Sequence, residues 1–221
     1  MACWRSWPSS CCFAERDMEK RNYQREMEAE IASLQGRRPA LLLHSCCGPC
    51  SSAVLERLCA HFRVTLLYYN PNIEPEEEYV HRLSEQRRLL SLLPEDVALM
   101  PCPWDNAAFE AFAPEMAGEP EGGARCLRCF RLRLEYTARR AKEAGFEYFT
   151  TTLSVSPHKN AEALNRIGRE EGEKAGVRYL CADFKKKNGY LRSLQLSGEY
   201  GLYRQDYCGC RYSRREREEH G

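Results

Sequence analysis

Apolar residues fall in short unbroken runs, and the stretches between them change to helical spacing. Leu41-Leu42-Leu43-His44, opened by Pro39-Ala40, has the length and continuity of a strand buried on both faces. Val64–Tyr69, Val97–Met100, Phe146–Thr152 and Val177–Ala182 read the same way. Between them, Ser51–Cys59 sets Val54, Leu55 and Leu58 on one side of a helix, and Pro75–Leu93 sets Leu83, Leu89, Leu90 and Leu93 opposite its charges. A long helix from about Cys126 to Ala144 stops at Gly145, and Lys159–Ala175 stops at Gly176. Ahead of the first strand, Asn22 can cap a helix over Tyr23–Leu34 that Gly36 ends. Trp104–Gly123 is less regular, and Asp183–Tyr212 is rich in Gly and Tyr.

Alternating strands and helices predict an α/β fold: a parallel sheet with helices on both faces and a cysteine-bearing C-terminal segment. Ligands of such sheets bind beyond the carboxyl ends of the strands. The segments there are SCCGPC, NPN, PCPW, SVSPHKN and DFKKKNGY, which should gather at one edge. The expected organisation is a variable tail (1–22), an N-terminal helix (23–36), one domain (37–213) and a charged tail (214–221).

Composition narrows the function classes. Lys+Arg number 33 and Asp+Glu 32, for a net charge of +1, so nucleic-acid contact would need a local basic patch. No apolar run approaches the roughly 20 residues that span a bilayer. The first residues lack the apolar core of a signal peptide, so a cytoplasmic, thiol-reducing setting is expected. Thirteen cysteines, an odd number, then suggest metal or redox chemistry.

Seven of them form three groups. Cys46, Cys47 and Cys50 sit where a strand turns into a helix, and a helix N-terminus favours thiolate. Cys126 and Cys129 share one helix face, surrounded by Arg125, Arg128, Arg131 and Arg133. Cys208 and Cys210 flank a glycine that lets the backbone fold tightly. Structural zinc needs only four of these sulfurs. A thioredoxin-like dithiol needs only Cys47-Gly48-Pro49-Cys50. An iron–sulfur cluster uses about four, with the surplus free for a second metal.

LLLHSCCGPCSSAVLERL, YYNPNIEPEEEYVHR, CLRCFRLRLEYTARRAKEAGFEYFTTTLSVSPHKN, DFKKKNGY and QDYCGCRYS, taken together and in order over about residues 20–213, resemble the QueH-type epoxyqueuosine reductases. The resemblance implies a Rossmann-like sheet of the adenine-nucleotide α-hydrolase (HUP) type. It implies reduction of epoxyqueuosine to queuosine at the wobble position of tRNAs with GUN anticodons, without cobalamin. It also implies a [4Fe-4S] cluster with an adjacent iron. In some members the position of Cys50 is Asp, so its role as a sulfur ligand is less fixed than those of Cys46 and Cys47. ATP-using relatives of this sheet carry a Gly-rich loop after the first strand, whereas this chain has SCCGPCSS.

Such a reduction takes two electrons and two protons, which implies an electron donor such as ferredoxin or flavodoxin. His44, Asp206 and Tyr207 are the candidate catalytic proton donors. Lys185, Lys186 and Lys187, with Tyr190 and Arg192, interleave charge and rings as an anticodon stem-loop contact would. Ser156, His158 and Lys159 are expected on the same edge, where Lys159 could meet a phosphate. Arg211–Arg217 reads as a solvated tail. An iron–sulfur tRNA-thiolating enzyme and a zinc-stabilised tRNA-binding module are the competing readings.

Overall fold

The computed structural model describes residues 21–100 and 102–220. Five parallel strands form one sheet: β1 (Ala40–His44), β2 (Arg63–Leu67), β3 (Ala98–Met100), β4 (Tyr148–Thr151) and β5 (Arg178–Tyr179). Their spatial order is β3-β2-β1-β4-β5, with β1 at the centre. Leu41, Leu42 and Leu43 are fully buried, because helices cover both faces of the central strand. Leu41 and Leu43 join Met27, Val54, Leu58 and Leu89 on one side; Leu42 joins Phe130, Leu134, Leu164 and Ile167 on the other.

The helices are α1 (Tyr23–Ser33), α2 (Gly48–Leu58), α3 (Glu76–Leu92), α4 (Asn106–Glu110), α5 (Ala124–Glu143), α6 (Ala161–Ala175), α7 (Gly189–Glu199) and α8 (Arg211–His220). Asn22 caps α1 through Oδ1, which accepts from the Arg25 amide, and Asn160 caps α6 in the same way. No helix among the described residues is long and apolar enough to cross a membrane.

Four places differ from expectation. The α2 helix starts at Gly48 rather than Ser51, which puts Cys50 inside its first turn. β5 keeps only two residues, because the Asn165 amide takes over both backbone groups of Ala182 and draws the chain away from the sheet (Ala182 N to Oδ1 2.8 Å, Nδ2 to Ala182 O 2.9 Å). The segment Asp183–Tyr212, to which no element was assigned, contains α7, and Arg211–Arg217, read as a solvated tail, is helical. Its start is anchored: Tyr212 and Ser213 are buried, and Arg211 pairs with Glu74 and Glu110. Most of the tail 1–22, including Cys3, Cys11 and Cys12, lies outside the described residues.

The turns after β1 and β4 meet at the carboxyl edge, where neighbouring strands lead their helices to opposite faces. Against that edge a small third core forms from Phe109, Phe112, Cys129, Cys210 and Tyr212, which joins α4, α5 and α8.

Candidate metal centre and substrate cleft

The turn after β1 gathers three sulfurs by local geometry. Cys47 is the extended cap residue of α2, and Pro49 stands in the first turn. The sulfurs of Cys46, Cys47 and Cys50 all lie within 4.8 Å of one another, the one set of that kind among the described residues. A buried network fixes the turn. Ser45 Oγ lies 2.6 Å from Ser51 Oγ and donates to Gln86 Oε1 (2.7 Å), while Asn70 Nδ2 donates to the Ser45 carbonyl (2.8 Å). Thr152, from the turn after β4, accepts from the Cys46 amide (3.2 Å) and lies 3.4 Å from its sulfur. Cys46 and Cys50 point hydrogen-bonding capacity at Cys47, which lowers the Cys47 pKa, while Cys46 and Cys50 are held up.

The other four sulfurs are assembled from distant segments. Cys126 and Cys129 open α5, and Cys208-Gly209-Cys210 precedes α8. All four line one enclosed pocket, with Asn72, Arg125, Phe130 and Arg133 among its other walls. Gly209 makes the hairpin between its sulfurs possible: it sits at φ +123°, and a Cβ there would meet Ile73 Cγ1 at 2.9 Å. Arg82 holds the same loop, donating to the Cys208 carbonyl (3.2 Å) and pairing with Glu78 (2.6 Å). Burial pushes the Cys129 thiol up to about 12 and raises Cys126 and Cys210 as well.

The donor set fits iron–sulfur chemistry. Four thiols converge on one pocket whose walls also leave Asn72 Oδ1, Arg125 Nε and Arg133 Nη2 without partners. Thiols whose ionisation burial opposes are satisfied when a metal replaces their protons. The three sulfurs after β1 lie close enough together to hold one ion.

Both groups open onto one cleft of about 750 Å³. Cys46 and Cys50 line it from one side and Cys208 from another; Ser156, His158, Lys159, Tyr190, Asp206 and Tyr207 complete much of the wall. Lys159 Nζ lies 3.2 Å from Cys208 Sγ and 3.8 Å from Glu121. Burial works against its charge, yet the sulfur and Glu121 hold its pKa above the ordinary lysine range. Tyr207 lies under the Arg82 and Arg214 guanidinium groups, and Asp206 pairs with Arg217 at 3.3 Å.

Several expected residues lie elsewhere. His44 is fully buried and spends both ring nitrogens inside the sheet, Nδ1 on Thr151 Oγ1 (2.8 Å) and Nε2 on the Tyr69 carbonyl (3.0 Å). Burial and the nearby Arg133 push its pKa down to about 4, so it is neutral, and it is not among the cleft-lining residues. The basic run lies outside the cleft: Lys185 pairs with Asp183 (2.6 Å), Lys187 with Glu28, and Arg192 with Glu56 (2.7 Å) and Glu199 (3.3 Å). Lys187 and Arg192 line a separate hollow between α2 and α7, and only Tyr190 of that set reaches the cleft. Lys186 does not line the cleft either; its carbonyl accepts from Arg57 Nη2 (3.3 Å). The run ends in a tight turn: Lys187 and Asn188 have positive φ, and a Cβ at Gly189 would stand 1.8 Å from the Phe184 carbonyl.

Sequence reasoning missed Thr152, Asn72, Arg82, Arg204 and Glu121. Nothing in residue type marks them; only folding brings them to the thiols or to the cleft wall.

The family model described as "Epoxyqueuosine reductase QueH" matches residues 41–216. A Staphylococcus epidermidis protein of that name is 37% identical over 205 residues, covering 89% of this chain and 86% of its own. The Streptococcus pyogenes serotype M1 protein of the same name is 38% identical, covering 88% and 79%. The Thermotoga maritima protein is 34% identical, covering 81% and 92%. With cysteines of both groups inside the matched span and relatives aligned along most of their length, this chain belongs to the QueH family.

Proposed function

We propose that this protein is a cobalamin-independent oxidoreductase that reduces epoxyqueuosine to queuosine at the wobble position of tRNA. The observation that carries the reading is the single cleft onto which both thiol groups open. In this reading Cys126, Cys129, Cys208 and Cys210 hold a [4Fe-4S] cluster, and Cys46, Cys47 and Cys50 hold the adjacent iron. Once bound, these centres supply one-electron transfer and Lewis acidity toward the epoxide oxygen. The reaction balances as epoxide plus two electrons and two protons giving alkene plus water. The electrons come from a cytoplasmic donor of the ferredoxin or flavodoxin class.

The chain's own groups do the rest. Tyr190 offers a ring for a splayed base of the anticodon loop. Lys159, held by Cys208 and Glu121, and Arg204 give the cleft positive charge toward a phosphate or sugar oxygen. Asp206 and Tyr207 are the cleft-lining candidates for delivering protons, since His44 is enclosed in the sheet.

The test is nucleoside analysis of tRNA from a strain lacking this gene and any other epoxyqueuosine reductase. Epoxyqueuosine should accumulate and should disappear when the wild-type gene, but not a Cys129→Ala gene, is restored. Normal queuosine in the deletion strain would remove the proposal. ATP turnover with tRNA would favour a thiolating enzyme, and a colourless, zinc-loaded protein a binding module.

A further inference from the structure

Three arginines are almost completely enclosed: Arg82, Arg125 and Arg133, each 1% exposed. Two have carboxylate partners, Glu78 for Arg82 and Glu216 for Arg125. Arg133 has none among the described residues. Its Nε donates to the Cys129 carbonyl one turn back (3.3 Å), and its Nη2 has no partner. An enclosed guanidinium without an anion is strongly unfavourable, so the geometry at Arg133 calls for a partner of opposite charge.

Its surroundings name that partner. Arg133 follows Cys129 by four positions on α5, which places it behind the sulfurs on the same helix face. It shares the pocket wall with Cys126, Cys129, Cys208 and Cys210, and it also lies within electrostatic reach of Cys46 from the other group. Arg128 and Arg131 do not share this position: Arg128 lies over the Phe112 ring, and Arg131 pairs with Glu170 and Glu171.

We propose that Arg133 is the shared counter-cation of the two thiol groups, a positioning residue that stabilises their anionic, metal-loaded state and favours electron uptake by the cluster. This rests on the metal assignment above. A tetrathiolate iron–sulfur cluster is a net anion that gains a further negative charge on reduction, and a fixed cation beside it raises its reduction potential. The same cation opposes the metal-free fold, so loading and stability are coupled through one side chain.

The experiment compares wild-type, Arg133→Met and Arg133→Lys proteins, prepared without oxygen, both metal-free and reconstituted with iron and sulfide. Thermal unfolding, iron and sulfide content and an EPR-monitored redox titration are read for each. In the wild type, reconstitution should raise the melting temperature strongly. In Arg133→Met that gain should shrink and the cluster potential should become more negative, while Arg133→Lys should keep most of both. An unchanged gain and potential in Arg133→Met would overturn the proposal, as would an Arg133→Lys protein that behaves like Arg133→Met. Arg133→Gln, which keeps polar atoms and loses the charge, takes its place should the methionine variant not fold. A wild-type protein that takes up no iron defeats the metal assignment itself. Loaded wild type with an indifferent variant defeats only the role given to Arg133.

Discussion

The two thiol groups reach the same cleft by opposite routes. Cys46, Cys47 and Cys50 belong to one strand–helix turn, and the backbone of five residues brings their sulfurs within 4.8 Å. Cys126 and Cys129 meet Cys208 and Cys210 only when α5 and the segment before α8 pack together through Phe109, Phe112 and Tyr212. The local group is set once β1 and α2 form. The assembled group depends on the packing of the whole C-terminal segment; its walls hold two enclosed arginines, Arg125 and Arg133, and Gly209 between two of its cysteines sits at φ +123°. The local turn is fixed by hydrogen bonds among Ser45, Ser51, Gln86 and Asn70, whereas a site closed across about 80 residues of intervening chain also needs its loops pinned.

Removing one assembled ligand should have the largest effect. Cys129→Ala should lose most iron and acid-labile sulfide and all reductase activity, read by metal and sulfide analysis; retention of the full visible spectrum would break the division between the groups. Gly209→Ala should come next. The residue would be held at φ +123° with its new carbon against Ile73 and Arg82, a strain of about 1–3 kcal/mol. Sulfide content should fall as in the ligand variant while the sheet still melts cooperatively; a fully loaded Gly209→Ala protein would show that the hairpin geometry is dispensable.

Cys47→Ala sharpens the comparison from the other side. It should remove the single-ion site and activity yet keep acid-labile sulfide and most of the colour. Loss of both together would mean that the groups form one centre. The smallest effect belongs to Cys59→Ala. This cysteine packs at the end of α2 against the core, and burial pushes its thiol up to about 11, so it stays protonated and inert. Iron, sulfide and turnover should stay at wild-type levels, with a stability loss of about 1 kcal/mol in denaturant titration. Bleaching of the cluster by that change would contradict the grouping of the thiols.

Several features were legible along the chain because they depend on short-range rules. The apolar runs pointed to all five strands, since strands covered by helices are mostly apolar along their length. Asn22 and Gly176 marked helix ends through capping chemistry that acts over a few residues. The three cysteine groups were visible by spacing. Less visible were β5's early end, α7 and α8. The first follows from an amide on α6 reaching across to Ala182, and α8 is held by buried contacts of Tyr212 rather than by a marked apolar period.

What the sequence alone determined is the alternation of strands and helices, the edge at which the loops collect, and the identity of seven candidate sulfurs. What only the tertiary structure decided is which sulfurs lie together in space, that both ring nitrogens of His44 bond inside the sheet, and that Lys185, Lys187 and Arg192 pair with Asp183, Glu28 and Glu56 outside the cleft. The reason is physical. Backbone periodicity acts over a turn or a strand, whereas a side chain's partner depends on which surfaces meet, and no local pattern records that.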